Sequence, residues 1–140
     1  MNNQPVLRVI TKLLVPCMLV MGGYVITHGE IGPGGGFQGG VILAAGFILY
    51  GIVFGKEELH RVVPRRVTDG LATAGVLLYA GTGVWCMLRG GRFLDYGVLP
   101  GVDTGAAEAL GMTLVEYGVG LTVCTVMITI YDMISEGVEA

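Results

Sequence analysis

The chain has 140 residues, of which 53% are apolar and 14% charged, with a net charge of −3 and a mean hydropathy of +0.72. Soluble domains carry about 25% charged residues, and a chain this apolar would leave large greasy patches in water, which argues against a soluble enzyme or binding module. Disorder needs the opposite composition, and the few basic residues give no electrostatic footprint for nucleic acid.

Charge-free stretches organise the chain. Residues 13–29, 31–55, 70–88, 109–115 and 117–131 contain no Lys, Arg, Asp or Glu. A helix needs about 20 mostly apolar residues to cross the bilayer core, so the pattern predicts an all-α membrane protein with four transmembrane helices, near 6–28, 37–55, 70–88 and 113–134. The whole of 1–140 reads as a single integral membrane domain. Strands are excluded, because the runs do not alternate and a membrane sheet must close into a barrel.

The first apolar run is longer than the core of a signal peptide and has no A-x-A cleavage site after it, so it reads as a retained helix. Pro16 lies inside it and should kink it. The second run ends at KEELHRVVPRR, read as a loop, with Lys56, Arg61, Arg65 and Arg66; Arg8 and Lys12 fall on the same side of a four-helix topology. The other side has Arg89 and Arg92, so the positive-inside rule puts both termini in the cytoplasm. Between the third and fourth helices, residues 89 to 112 should form a long ordered external loop, with Gly, Pro and Asp turn signals and apolar anchors at Phe93, Leu94 and Tyr96.

The sharpest local feature is Gly32-Pro33-Gly34-Gly35-Gly36-Phe37-Gln38-Gly39-Gly40, between the first two runs. It formally contains GxGxxG, but no strand precedes it and no Gly-Lys-Ser/Thr follows, so nucleotide binding has no support. Consecutive glycines permit tight turns and backbone contact between helices. Irregular backbone at membrane depth survives only inside protein or beside a wet cavity. The segment therefore marks either a close helix interface, which we weigh more heavily, or a pathway. Gly36 and Gly40, like Gly51 and Gly55, have the spacing of small-residue helix contacts.

Ionisable groups near spans are read as functional by default. Glu116 opens the fourth span in LVEYGVGLTV: it is a proton or ion acceptor if it faces protein, or a structural acceptor favoured by the helix dipole. His28 closes the first span and either caps it or titrates. Lys12 either snorkels to the surface or pairs with Asp132. Asp132, Glu30 and His60 read as solvated. Cys17, Cys86 and Cys124 lie in apolar runs and read as small buried residues, and the methionines read as packing residues. No catalytic constellation, cofactor ligand set or metal cluster is present in the sequence.

With these residues in view, HGEIGPGGGFQGG from His28 to Gly40 resembles the signature of the MnhB/MrpB subunit family of multisubunit cation/proton antiporters. VILAAGFILYG, FLDYG and LVEYGVGLTV resemble the family as well, over nearly the whole chain. The resemblance implies a small multi-pass subunit of the cell membrane, surrounded by lipid. Its partners would be other antiporter subunits, including large complex-I-like multispan subunits that carry the main proton-pumping residues. It matches His28, Pro33, Gly34, Gly35, Gly36, Phe37 and Glu116 to family positions and implies no cofactor.

The leading expectation is an accessory subunit of a Na+/proton antiporter that docks through its glycines, Gly34, Gly35, Gly36, Gly39 and Gly40. Candidates for an ion or proton path are His28 as a titratable gate, Glu116 with transient Na+ nearby, Phe37 with Pro33 and the glycines as a narrow passage, and Lys12. Rival readings are a purely structural subunit, the equivalent subunit of a redox-driven complex such as a membrane-bound hydrogenase, and a free-standing small transporter. The last is disfavoured because the first span carries Lys12 and no carboxylate.

Overall fold

The computed structural model describes residues 5–29, 34–99 and 103–139. Among them the fold is all-α, with helices α1 (Pro5–Thr27), α2 (Gly36–Phe54), α3 (Lys56–Val62), α4 (Arg65–Leu88) and α5 (Thr104–Glu139), plus a 3-10 turn at Tyr96–Val98. The four long helices are apolar enough to cross a membrane. α1 runs on through Pro16.

The helices stand in a row, α1 against α2, α2 against α5, α5 against α4. The chain reverses between successive long helices, so one end gathers the start of α1, the end of α2, α3, the start of α4 and the end of α5. There Arg8 and Lys12 lie over the Phe54 ring, 5.4 and 5.9 Å from its centroid. At the centre of the row Ala44 of α2 packs on Cys124 and Ile128 of α5, flanked by Leu43, Phe47, Ile48 and Met127. Cys86 is buried as well, whereas Cys17 is on the exposed face of α1, which corrects the reading of all three cysteines as buried.

Two segments differ from expectation. KEELHRVVPRR is not an open loop: its first half is α3, about two turns of helix. Glu57 and Glu58 sit in its first turn and His60 and Arg61 in its last, matching the helix dipole. Leu59, fully buried, anchors it where α2 has Gly51; a Cβ there would be 2.8 Å from Leu59. Gly55, at φ 101°, makes the turn from α2 into α3, a conformation glycine adopts without penalty. Val63 is extended (φ −131°, ψ 88°), as the residue before a proline must be, and α4 starts from Pro64.

The second difference is α5. The span expected at 113–134 lies inside one helix of 36 residues, about 54 Å long at 1.5 Å per residue, against a hydrocarbon core of about 30 Å. The connection from α4 is correspondingly shorter than 89–112. Ala106, Ala107, Ala109 and Leu110 are strong helix formers that outweigh Gly105 and Gly111.

The α4–α5 connection folds back on its helices. α4 ends in a Schellman motif: Gly91 N–H donates to Cys86 O (3.2 Å) and Gly90 N–H to Met87 O (3.0 Å), with Gly90 at φ 87°. The Phe93 ring then fills the space over Gly83 and meets Tyr79 edge-on at 6.2 Å. The Tyr96 ring fills the space over Gly111. Burial, first, and the nearby Cys86 and Tyr79 push its phenol above the ordinary range.

Candidate functional site

The glycines of the motif fit α2 between two helices at once. On one side Gly39 meets Gly22 and Ile26 of α1; a Cβ on Gly39 would be 2.7 Å from Gly22 O. On the other, Gly36 and Gly40 meet α5. A Cβ on Gly36 would overlap the backbone carbonyl of Glu116, and one on Gly40 would be 2.5 Å from Gly120 O. All four positions, Gly22, Gly36, Gly39 and Gly40, are buried. Only hydrogen side chains allow this approach, so the small residues set the helix spacing. A second crossing of the same kind joins α4 to α5 at Gly75, Gly118 and Thr122.

Glu116 sits at the first crossing. Its carboxylate lies against the turn after α1 and the start of α2: a Cβ on Gly29 would overlap it, and one on Gly35 would be 3.2 Å from Oε1. Gly34 and Gly35 take φ of 142° and 151°, a region that side chains disfavour. Gly29 and Gly35 thus wall a carboxylate inside the row, with Glu116 itself partly buried.

The other expected residues are placed differently. His28 is exposed at the end of α1. Its Nδ1 is 3.1 Å from Tyr24 O and 2.9 Å from Thr27 Oγ1, and its ring stacks on Tyr24 at 4.1 Å. The residue after it, Gly29, is the one that abuts Glu116. Phe37 is 61% exposed. Pro33 and Glu30 lie outside the described residues. Lys12 is at the far end of the row, over Phe54.

That far end holds a charged cluster that sequence reasoning missed. Asp132, read as solvated, is 2% exposed. It does not pair with Lys12: its Oδ2 is 2.6 Å from His60 Nε2 and 3.4 Å from Arg65 Nε. His60, also read as solvated, has 31% of its side chain exposed and faces this carboxylate. Glu136 accepts from Lys56 (3.0 Å) and Arg65 (2.9 Å), and Lys56 Nζ donates to the backbone carbonyl of Asp132 at 3.2 Å. α3 creates the cluster by turning Lys56 and His60 toward α5. The signal was the matched spacing: Lys56 and His60 are four apart, as are Asp132 and Glu136, so each pair shares one helix face. Among the described residues no group of three His, Cys, Asp or Glu is arranged to hold a metal.

Compared with known proteins, residues 6–129 match the family described as "domain related to MnhB subunit of Na+/H+ antiporter". The antiporter subunit mnhB2 of Staphylococcus aureus, in strains Newman, JH1 and COL, is 34% identical over 140 residues, covering 97% of this chain and 97% of each relative.

Proposed function

This chain belongs to the MnhB family of Na+/H+ antiporter subunits and is a multi-pass protein of the cell membrane; from that premise we propose that it is a small accessory subunit of a Na+/proton antiporter, with Glu116 on the ion path. The observation that carries the site is the glycine-walled carboxylate. A charge at membrane depth costs several kcal/mol unless protein or water receives it, and here Gly29 and Gly35 leave room for the carboxylate, while Gly36 lets the Glu116 backbone approach, at a junction of three helices. Such a group takes up a proton or coordinates Na+ in transit. His28, one residue from Gly29, stands at the mouth of the same junction as a titratable gate.

The subunit is a transporter component and not itself an enzyme. Its partners are the other antiporter subunits, among them large complex-I-like multispan chains. The open row supports docking, because α1 and α4 are flanked on one side only. Their outer faces carry large apolar side chains, with Val20 74% and Leu88 78% exposed, and suit lipid and neighbouring helices. The end with Arg8, Lys12, Lys56, Arg61, Arg65 and Arg66 faces the cytoplasm, with both termini.

The test is Glu116→Gln, which keeps the shape of the side chain and removes its charge. Assembly stays intact, seen as an unchanged complex on native gels, while Na+-driven proton exchange in everted vesicles falls at least tenfold. Gly29→Ala, which displaces the carboxylate without neutralising it, lowers exchange in the same assay. Normal exchange by an assembled Glu116→Gln complex rejects the ion-path role and leaves helical packing as the subunit's contribution, a reading that the backbone-to-backbone glycine contacts favour.

A further inference from the structure

The two carboxylate oxygens of Asp132 have different surroundings. Its Oδ2 is held by His60 and Arg65, but its Oδ1 is buried with no hydrogen-bond partner among the described residues. Buried polar atoms are almost always paired, and an exception calls for a reason. A purely structural clamp would be better served by arginine, whose planar fork satisfies both carboxylate oxygens. This position instead has histidine, the side chain whose proton moves near neutral pH.

The surroundings balance without the imidazole. Lys56 from α3 and Arg65 from α4 offset Asp132 and Glu136 of α5. Arg8 and Lys12 of α1 are at the same end, over Phe54. Tyr50, the ionisable side chain of α2, stacks on Phe54. With His60 neutral the four paired charges cancel, so the cluster has capacity for one added proton. Burial is graded as well: the imidazole is 31% exposed and the carboxylate 3%, so His60 stands between water and a dry acceptor.

We propose that His60 and Asp132 form a proton-transfer pair at the end of the row opposite Glu116. A hydronium gives its proton to Nδ1 of the neutral imidazole, and the Nε2 proton moves to Oδ2 of Asp132. One water is released, the ring is neutral again with its hydrogen on Nδ1, and the carboxylate has become a carboxylic acid. The reverse sequence returns the proton to water. The proposal rests on the antiporter reading and assigns to this chain a second proton site.

The experiment uses the assembled antiporter in everted vesicles, with His60→Gln and His60→Ala. Glutamine still donates to Asp132 but carries no proton onward. His60→Gln is expected to assemble normally and to lose about tenfold or more in exchange rate, in line with the loss of a positioned proton carrier. His60→Ala is expected to lose as much, and free imidazole in the buffer to restore several-fold. Wild-type rates in an assembled His60→Gln complex overturn the proposal. So does a deficit in His60→Ala that imidazole leaves unchanged, which makes the pair a structural pin; if His60→Ala does not assemble, His60→Gln alone decides. Absence of exchange in the unmodified complex is a distinct result, since it rejects the antiporter reading itself.

Discussion

Gly40→Ala tests the claim that hydrogen side chains set the distance between α2 and α5. The added Cβ would sit 2.5 Å from Gly120 O, 3.1 Å from its Cα and 3.2 Å from its carbonyl carbon. Carbon–oxygen contacts between packed helices close at about 3.3–3.6 Å, so the helices must part by about 1 Å. Both obstructing surfaces are backbone inside long helices, so no rotamer change relieves the overlap. A gap of that size forfeits a quarter to a half of the dispersion energy of each contact it opens. The contacts at risk are those of Ala44, Cys124 and Ile128 with their neighbours. Overpacking costs about 1–3 kcal/mol, and the rigid site places Gly40→Ala at about 3 kcal/mol, roughly a hundredfold in the folding equilibrium. Unfolding of the purified chain in mixed micelles with rising SDS measures it. The matched control is Gly23→Ala, where an added Cβ meets nothing within 4 Å, so that alanine's helix propensity leaves stability unchanged or raised by up to about 1 kcal/mol. Equal midpoints for Gly40→Ala and Gly23→Ala would refute the reasoning.

Three further outcomes follow from the same geometry. Leu59→Ala empties the fully buried anchor of α3 at a cost of about 2–5 kcal/mol, and hydrogen exchange should then show residues 56–62 losing protection while α2 keeps its own. Gly83→Ala intrudes on the Phe93 ring, a movable side chain, so it should loosen residues 89–99 to protease and lower global stability by less than Gly40→Ala. Gly111→Ala, which meets the Tyr96 ring, should have the same local effect, and the Tyr96 phenol should titrate at lower pH as its burial, the largest cause of its raised pKa, is relieved.

The number and order of the spans were legible because a membrane helix is announced by composition alone: each run is long, apolar and free of charge. The glycine motif was legible as a contact, since Gly36 and Gly40 repeat at the spacing of one helix face, yet its partner was not. Nothing in HGEIGPGGGFQGG says that the opposing surface is Gly120 and the backbone of Glu116. The start of α5 was hidden because Gly105 and Gly111 read as turn residues, while Gly111 serves to admit the Tyr96 ring. The Asp132 cluster was hidden for a related reason. A carboxylate at the end of a span is solvated when its helix ends there, and α5 continues past it while α3 folds over it. α3 in turn depends on Leu59 finding Gly51, a contact between residues in different elements that local pattern does not encode.

α5 connects the two carboxylate sites physically. Asp132 lies sixteen positions after Glu116, which is about 24 Å along the axis and a net rotation of about 160°. The two side chains therefore leave the helix on nearly opposite faces, near the two edges of a hydrocarbon core about 30 Å thick. The row makes use of this, since α5 is an inner helix with α2 on one side and α4 on the other. Glu116 turns toward the α1–α2 glycines, and Asp132 toward His60 of α3 and Arg65 of α4. Between them α5 is clamped by backbone contacts at Gly118 and Gly120, where it has little freedom to rotate. A proton or cation that reaches one carboxylate cannot pass directly to the other over such a distance. Direct proton transfer needs heavy atoms within about 3 Å. Any communication between the ends must run through water, through a neighbouring subunit, or through movement of α5 as a rigid body against its glycine contacts.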